Sequence, residues 1–133
     1  MVNRFVFVSL SLVVCAACLV SCGRQSEVPE AADVTALAQE FVEQLSDRDF
    51  PAAAGSFDNT MAQAMPPDKL EEAWGSLAAN MGAFKRQVGV RTAREQGFDV
   101  AYVTCEFERG RMDVKLVFDR SRNISGLWFV PPT

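Results

Sequence analysis

The sequence predicts an α+β fold, in which N-terminal helices pack on one face of a four-stranded antiparallel meander. Residues 84–130 carry three turn signals, at Gln96-Gly97, Arg109-Gly110 and Arg120-Ser121-Arg122, and alternating apolar residues flank each of them. When strands are paired around these turns, the bulky apolar residues of all four strands fall on one face. Residues 33–81 instead carry apolar residues at helical spacing. Helices followed by a meander with one apolar face are typical of an α+β domain.

The first two turns fix the expected register of the central strands. With Arg109-Gly110 as a two-residue tip, Phe107 pairs with Met112 on the apolar face. The preceding turn pairs Val88 with Cys105 on the same face. Arg86 falls opposite Phe107, so we expect it to lie near an edge or to line an opening.

The last turn places Trp128 opposite Val114, also on the apolar face. The other face is mixed, and on it we expect Glu106 to lie opposite Asp113. Apolar residues on that face could pack against a second copy of the chain in a homodimer. The apolar residues predicted there are Val100, Tyr102, Val117, Leu127 and Phe129.

Helix boundaries follow from capping residues and proline positions. Asp33 is expected to cap the first helix, and Asp49 a short second helix with proline in its first turn. A third short helix is expected over Phe57–Ala64. The fourth helix begins at Pro66-Pro67 and ends at Gly82, because glycine commonly terminates helices.

The chain is expected to have three parts: a lipoprotein signal peptide over residues 1–21, a lipidated cysteine and tether over 22–32, and the α+β domain over 33–133. A positive charge at Arg4 precedes an apolar run over residues 5–20, which is typical of a signal peptide. The tether contains Gly, Ser, Pro and charged residues without hydrophobic periodicity.

The segment Leu19-Val20-Ser21-Cys22 resembles a bacterial lipobox. This resemblance implies cleavage before Cys22, lipidation of its thiol and acylation of the new amino group, so several acyl chains would hold the protein at a membrane. An uncleaved membrane helix and a secreted soluble form are the alternatives. Gly23 is not the aspartate that retains many Gram-negative lipoproteins in the inner membrane, so the outer membrane is favoured in a Gram-negative cell envelope.

The composition argues against several functions and kinds of catalytic site. The 133 residues suit one folded domain, and 13 basic against 17 acidic residues give a net charge of −4, which argues against nucleic-acid binding. Histidine is absent, which removes the commonest general base and metal ligand. Cys105 lies on the apolar face and is expected to be a core residue. We assign no catalytic residue, metal site or cofactor from the sequence.

Several short segments are similar to one known family. They are Ala38-Gln39-Glu40-Phe41-Val42, Asp49-Phe50, Phe57-Asp58 with Met61, Leu70-Glu71-Glu72-Ala73-Trp74, Met81-Gly82-Ala83-Phe84, Phe107-Glu108-Arg109-Gly110, Val117-Phe118-Asp119 and Ile124-Ser125-Gly126-Leu127-Trp128-Phe129. Together they resemble the bacterial domain of unknown function numbered 3887. The resemblance implies a cone-shaped fold of the nuclear-transport-factor-2-like or cystatin-like α+β superfamily, often with a pocket between sheet and helices. In longer proteins this domain commonly precedes an α/β-hydrolase domain, and the resemblance transfers no catalytic residue.

These observations favour a membrane-anchored, non-enzymatic binding or accessory module, with a partner protein or a small apolar molecule as its ligand. A small isomerase-like or cyclase-like enzyme is the alternative, and it would need an acid in the cavity and Arg86 as an anion holder. The candidate pocket residues are Phe41, Trp74, Phe84, Arg86, Phe107, Met112 and Trp128.

Overall fold

A computed structural model describes residues 30–133, with side chains from residue 34 onward. The elements are α1 (Glu30–Ser46), α2 (Phe50–Ala54), α3 (Asn59–Ala64), α4 (Pro67–Met81), β1 (Phe84–Glu95), β2 (Phe98–Phe107), β3 (Gly110–Phe118) and β4 (Ile124–Val130). The strands form one antiparallel sheet in the order β1-β2-β3-β4, which confirms the predicted α+β class. The cone shape stays a prediction.

The N-terminal predictions fall largely outside this part of the chain. The signal peptide, the lipidation site at Cys22 and the tether up to residue 29 lie outside the described residues. Within the described part, no helix is both long and apolar enough to cross a membrane.

The first two helices differ in how well the sequence predicts their starts. The expectation that Asp33 caps α1 was wrong, because α1 begins at Glu30 and Asp33 lies inside it. Asp49 does cap α2, and its Oδ1 accepts a hydrogen bond from the Ala52 amide at 3.2 Å. Pro51 lies in the first turn of α2, where its missing N–H costs nothing.

The loop before α3 covers the start of the edge strand β4. The Asp58 amide donates to the Ile124 carbonyl at 2.9 Å, and the Ile124 amide donates to the Ser56 carbonyl at 2.8 Å. Phe57 therefore pairs with Ile124 as an isolated bridge, and α3 begins after it rather than at Phe57. The Asp58 side chain caps α3 by accepting from the Met61 amide at 2.7 Å. Pairing with this loop satisfies backbone groups that an edge strand would otherwise expose.

The core lies between the helices and the inner face of the sheet. Phe41 and Leu45 of α1 and Leu70 and Trp74 of α4 are buried in it. The sheet residues buried in the same core are Ala101, Val103, Cys105, Phe107, Val114, Leu116, Phe118 and Ile124. The prediction that one sheet face is apolar and covered by helices is confirmed.

The register of the central hairpin differs from the prediction by two residues. Phe107 pairs with Gly110 and Cys105 with Met112, so the turn is Glu108-Arg109 rather than Arg109-Gly110. A shift of two residues keeps every side chain on its predicted face, because successive residues of a strand alternate between faces.

This turn contacts the end of α4, which explains its position. The Arg109 amide donates to the Met81 carbonyl at 2.8 Å, and the Glu108 amide donates to the Ala83 carbonyl at 3.1 Å. Glu108 Oε2 accepts from the Ala83 amide at 3.1 Å, and the Arg109 guanidinium donates to the Ala79 carbonyl at 3.2 Å. The hairpin tip thereby satisfies carbonyl groups that the last turn of a helix leaves without partners.

Strand β1 contains two irregularities that overturn part of its predicted pairing. Gln87 rather than Val88 lies opposite Cys105, and Arg86 lies opposite Glu106. Each irregularity moves the following residues relative to the partner strand, as a β-bulge does. Val88 is exposed as a result, and the expectation that it faces the core was wrong.

Strand β4 contains one extra residue, which reverses the faces of everything after it. Ile124 keeps its predicted partner, but Ser125 is skipped in the pairing. Leu127 and Phe129 therefore pack against the core, and Trp128 lies on the outer face. The predicted faces of all three were wrong, because strict alternation from Ile124 does not anticipate a bulge.

Candidate binding site on the outer sheet face

Four of the residues predicted to line an internal pocket belong to the aromatic core. The Trp74 ring centroid lies 5.8 Å from that of Phe84 and 5.7 Å from that of Phe107. Phe41 is buried in the same core, and Met112 packs against it while partly exposed. The rings of Trp74, Phe84 and Phe107 fill space between α4 and the sheet. The binding of an apolar ligand by the predicted pocket residues stays a prediction.

Arg86 is exposed on the outer face of the edge strand β1, so the expectation that it lies near an edge is confirmed, whereas its predicted pairing with Phe107 was wrong. Its Nε donates to Glu106 Oε2 at 2.7 Å, and the bulge in β1 is what brings the two side chains together. The hydrogen bond from Arg86 lowers the pKa of Glu106, and the charges of Arg111 and Lys85 act in the same direction. Arg86 is therefore an ion-pair partner on the surface.

Trp128 is 52% exposed and lies opposite Lys115 on the outer face. Its ring lies against Gly126, where a Cβ atom would fall within 2.5 Å of Trp128 Cζ3. Real Cβ atoms do not approach a ring so closely, so only glycine permits this position of the indole. The Ser125 bulge and Gly126 together bring Trp128 onto the outer face, where strict alternation had placed Leu127 and Phe129.

A charged and aromatic network surrounds Tyr102 at the centre of the outer face. The Arg91 guanidinium lies 3.7 Å from the centre of the Tyr102 ring. The Tyr102 hydroxyl donates to Glu95 Oε1 at 2.5 Å, and Lys115 Nζ donates to Glu95 Oε2 at 2.7 Å. The same ammonium lies 5.7 Å from the Trp128 ring centre. Cation–π contacts of this kind hold the long basic side chains over the rings.

Within this network, Glu95 and Lys115 stabilise each other's charged forms. The hydrogen bond from Lys115 lowers the pKa of Glu95, with a second contribution from the Tyr102 hydroxyl. The bond to Glu95 in turn raises the pKa of Lys115. Both groups are therefore charged at neutral pH, and neither is close to exchanging a proton.

Asp113 is the one buried charged side chain among the described residues, with 1% of its surface exposed. The Thr104 hydroxyl donates to it at 2.6 Å, and the Arg91 guanidinium donates at 3.4 Å while also donating to the Thr133 hydroxyl at 2.8 Å. Asp113 lies opposite Thr104, so the expectation that it lies opposite Glu106 was wrong. These donors satisfy a carboxylate that would otherwise be costly to bury.

A surface groove of about 570 Å³ runs beside this network, and we call it the outer groove. Val100, which is fully buried, and Val117 form its apolar floor, while Phe98 and Trp128 are its exposed aromatic residues, Phe98 with 45% of its surface accessible. Its polar rim consists of Asp58, Glu95, Gln96, Lys115, Asp119 and Ser125. An apolar floor with a few polar groups at its edge, in this size range, is typical of a small-molecule site.

Two rim carboxylates are fixed by backbone hydrogen bonds. Asp58 Oδ1 caps α3 through its bond from the Met61 amide. Asp119 Oδ1 accepts from the Ser121 amide at 2.8 Å and from the Asn123 amide at 3.0 Å, which closes the loop between β3 and β4. Backbone amides, and not basic side chains, therefore hold both carboxylates in place at the rim.

Cys105 behaves as a core residue, as predicted. Burial raises the pKa of its thiol to about 12, and the nearby Asp113 charge acts in the same direction. Its Sγ donates to the Val103 carbonyl at 3.6 Å. A thiol that stays protonated at neutral pH is a poor nucleophile. Within the described residues, no group of three acidic or cysteine side chains is arranged to hold a metal ion.

The sequence predicted some residues of the outer face correctly and did not predict the two exposed aromatic residues of the outer groove. Val100, Tyr102 and Val117 were predicted on the outer face and lie there. Trp128 was placed on the wrong face, and Phe98 was not singled out. A signal for Trp128 does exist in the sequence, because a glycine inside a strand pattern often marks a bulge, and Gly126 directly follows the extra residue Ser125.

The chain forms a small α+β domain with an open groove on the outer face of its sheet. The chain belongs to the family described as "Protein of unknown function (DUF3887)", whose model matches residues 38–127. This confirms the family resemblance seen in the sequence.

One curated protein, Esterase EstD from Thermotoga maritima, is similar to part of the chain. The two are 25% identical over 93 residues, which are 70% of this chain and 23% of the esterase. The chain thus spans about a quarter of the length of that relative. No solved structure matches the chain.

Several segments that carry the family resemblance hold the fold together. Met81–Phe84 and Phe107–Gly110 contact each other where the hairpin tip meets the end of α4. Asp119 closes the loop before β4. These positions are explained by backbone hydrogen bonding and need no catalytic role.

Proposed function

We propose that this chain is a membrane-anchored, non-enzymatic binding module whose ligand occupies the outer groove. The observation that carries the proposal is the exposure of Phe98 and Trp128 beside an apolar floor. Large aromatic side chains exposed next to a concave apolar surface favour ligand binding, because the ligand then removes them from water.

The charge states of the groove support binding rather than catalysis. A general acid or base works best when its pKa lies near the operating pH. The pKa of Glu95 is lowered and that of Lys115 is raised, so both move away from neutrality. This pair can orient a ligand as fixed charges, and it favours the binding module over the isomerase-like or cyclase-like alternative.

The similarity to a longer protein supports an accessory role. The matched region makes up 23% of the protein named Esterase EstD, so most of that protein lies outside the region it shares with this chain. A module of this family would then contribute binding beside another activity. Fold similarity alone assigns no esterase activity to this chain.

Membrane anchoring rests on the lipobox-like segment that ends at Cys22. Replacing this residue in Cys22→Ser removes the thiol that would carry the lipid, so we expect the protein to leave the membrane fraction or to accumulate uncleaved. Cys105→Ser is the matched control, because it changes a cysteine within the folded domain and leaves the anchor intact. Cys22→Ser that matches wild type both in fractionation and in electrophoretic mobility would contradict the lipid assignment.

Ligand binding in the outer groove can be tested with a small neutral apolar probe, neopentylbenzene, by calorimetric titration of the full chain in detergent, with the protein-free titration subtracted. We expect saturable binding that Trp128→Ala weakens. Val88→Ala is the control, because Val88 is also an exposed apolar residue but lies outside the groove. Absence of saturable binding, or equal effects of the two substitutions, would refute the groove as the site.

Self-association through the outer face would compete for the same surface. Leu127 and Phe129, two of the residues predicted for a homodimer, lie on the core side, whereas Trp128 has joined the outer face. Light scattering at the protein concentration of the titration distinguishes the two cases. If the dimer dissociates as the probe saturates, dimerisation and probe binding use the same surface.

A further inference from the structure

We propose that the outer groove selects small organic cations, in which an ammonium group is attached to an apolar body. This inference rests on the proposed function and adds the chemical class of the ligand. It follows from the aromatic residues, the charge of the rim and the apolar floor.

The groove already accommodates an ammonium group of the protein itself. Lys115 Nζ lies 5.4 Å from the Tyr102 ring centre, 5.7 Å from the Trp128 ring centre and 2.7 Å from Glu95 Oε2. These are the partners that a cation prefers: ring faces with negative electrostatic potential and a carboxylate. About half of the Trp128 surface is still exposed, so the indole is accessible to a second cation from solvent.

The charges of the rim favour a cation over an anion. Glu95 and Lys115 form an ion pair and cancel each other. Asp58 and Asp119 remain, and each is fixed at the rim by backbone hydrogen bonds through its Oδ1. The side chains that line the groove therefore carry a net negative charge, which favours a cation at its mouth.

Three nearby arginines, Arg94, Arg120 and Arg122, lie outside the outer groove. Arg94 and Arg122 both contact Asp99, at 3.6 Å and 3.1 Å, and they line a neighbouring depression rather than the outer groove. Asp99 balances one of these two charges, and Arg120 lines the same depression. The preference of the outer groove for a cation therefore depends on its own lining, in which Asp58, Glu95 and Asp119 outnumber Lys115.

The floor of the groove favours an organic cation over a metal ion. Val117 offers apolar surface, and Val100, which is fully buried, adds no polar group. No group of three carboxylate or cysteine ligands in residues 34–133 is arranged for a metal. A volume of about 570 Å³ accommodates an organic body of moderate size.

The test compares three ligands of nearly the same shape and different charge: benzyltrimethylammonium, the neutral neopentylbenzene and the anionic phenylmethanesulfonate. Calorimetric titration of the full chain in detergent measures each affinity, with protein-free titrations subtracted. We expect the cation to bind on the order of tenfold more tightly than the neutral compound. The sulfonate should show no saturation.

A double variant isolates the rim charge. In Asp58→Asn/Asp119→Asn the amide oxygen still accepts the backbone hydrogen bonds, and asparagine is as good a helix cap as aspartate, so the fold is retained. The advantage of the cation over the neutral compound should fall to a few-fold, while the affinity for the neutral compound stays unchanged. Asp68→Asn/Asp47→Asn is the matched control, because it removes two exposed acidic charges outside the groove.

The outcomes separate this inference from the function on which it rests. Equal affinity for the cation and the neutral compound would overturn the inference and leave the groove as a binding site. A double variant that keeps the full preference for the cation would also overturn it. Failure of all three ligands to bind would refute the proposed function itself.

Discussion

At the scale of the residue, the position of Trp128 depends on the missing side chain of Gly126. The indole lies where a Cβ atom of residue 126 would be, so the two residues act as one unit on the outer face. Because Trp128 is the most exposed large apolar residue in the described part of the chain, this contact decides whether the outer groove exists.

Gly126→Ala is therefore expected to displace the indole and to lower the free energy of unfolding by about 1–3 kcal/mol, as overpacking does. Denaturant titration measures the free energy, and tryptophan emission reports the displacement. Gly75→Ala is the control: a Cβ atom added to Gly75 in α4 would meet nothing within 4 Å beyond the backbone of its own helix, so alanine there should raise stability by about 0.5–1 kcal/mol. A neutral Gly126→Ala would show that the indole does not need this contact.

The second prediction at this scale concerns Cys105 and the stability of the protein at alkaline pH. Its folded pKa is raised to about 12 from 9.0, so above pH 9.0 the unfolded chain releases a proton that the folded chain retains. The protonated Cys105 thiol therefore contributes fully to the free energy of unfolding below pH 9.0, and this contribution is lost as the pH rises toward the folded pKa.

The measurement compares urea midpoints of wild type and Cys105→Ala from about pH 8 to about pH 11. Wild type should lose stability more steeply over this range, whatever the offset between the two proteins at neutral pH. Lys115 also titrates in alkali, but it is present in both proteins. Parallel curves would mean that the thiol ionises equally in the folded and unfolded states.

At the scale of the element, the turn between β2 and β3 and the end of α4 stabilise each other. The Arg109 guanidinium donates to the carbonyls of Ala79 and Asn80, both at 3.2 Å, where a helix carries its negative end. Gly82, with a φ of 81°, then turns the chain into β1. The contact joins the last helix to the middle of the sheet.

Arg109→Ala should therefore lower the free energy of unfolding by about 1 kcal/mol, measured by denaturant titration. Arg120→Ala changes an exposed arginine in the loop at the other end of β3, and its effect should stay within about 0.5 kcal/mol. Equal effects of the two substitutions would show that the helix-end contact contributes nothing specific.

The same two elements show what the sequence predicts and where prediction stops. Alternation and turn residues were enough to identify four strands and their apolar face, since both depend on neighbouring residues. The two-residue shift of the central hairpin depends on α4, which is distant in sequence from Glu108. The bulges in β1 and β4 break the alternation itself, and this is why Arg86, Val88 and Trp128 were placed on the wrong face.

At the scale of the whole molecule, the helices and the inner face of the sheet form the core, and the outer face is not covered by helices. Its central residues Val100 and Tyr102 are buried although neither belongs to the core beneath the helices, and the Arg91 guanidinium lies over the Tyr102 ring. The aromatic and charged residues at its edge then form the outer groove. The two tryptophans report on these two faces, because Trp74 is buried in the core and Trp128 is exposed on the outer face.

The most direct test is acrylamide quenching of each tryptophan alone, in Trp74→Phe and in Trp128→Phe, since the chain has two. We predict that Trp128 is quenched several-fold more efficiently than the core residue Trp74, and that saturating benzyltrimethylammonium reduces the quenching of Trp128 only. Equal protection of the two residues in the absence of ligand would contradict the outer-face position of Trp128, and with it the groove.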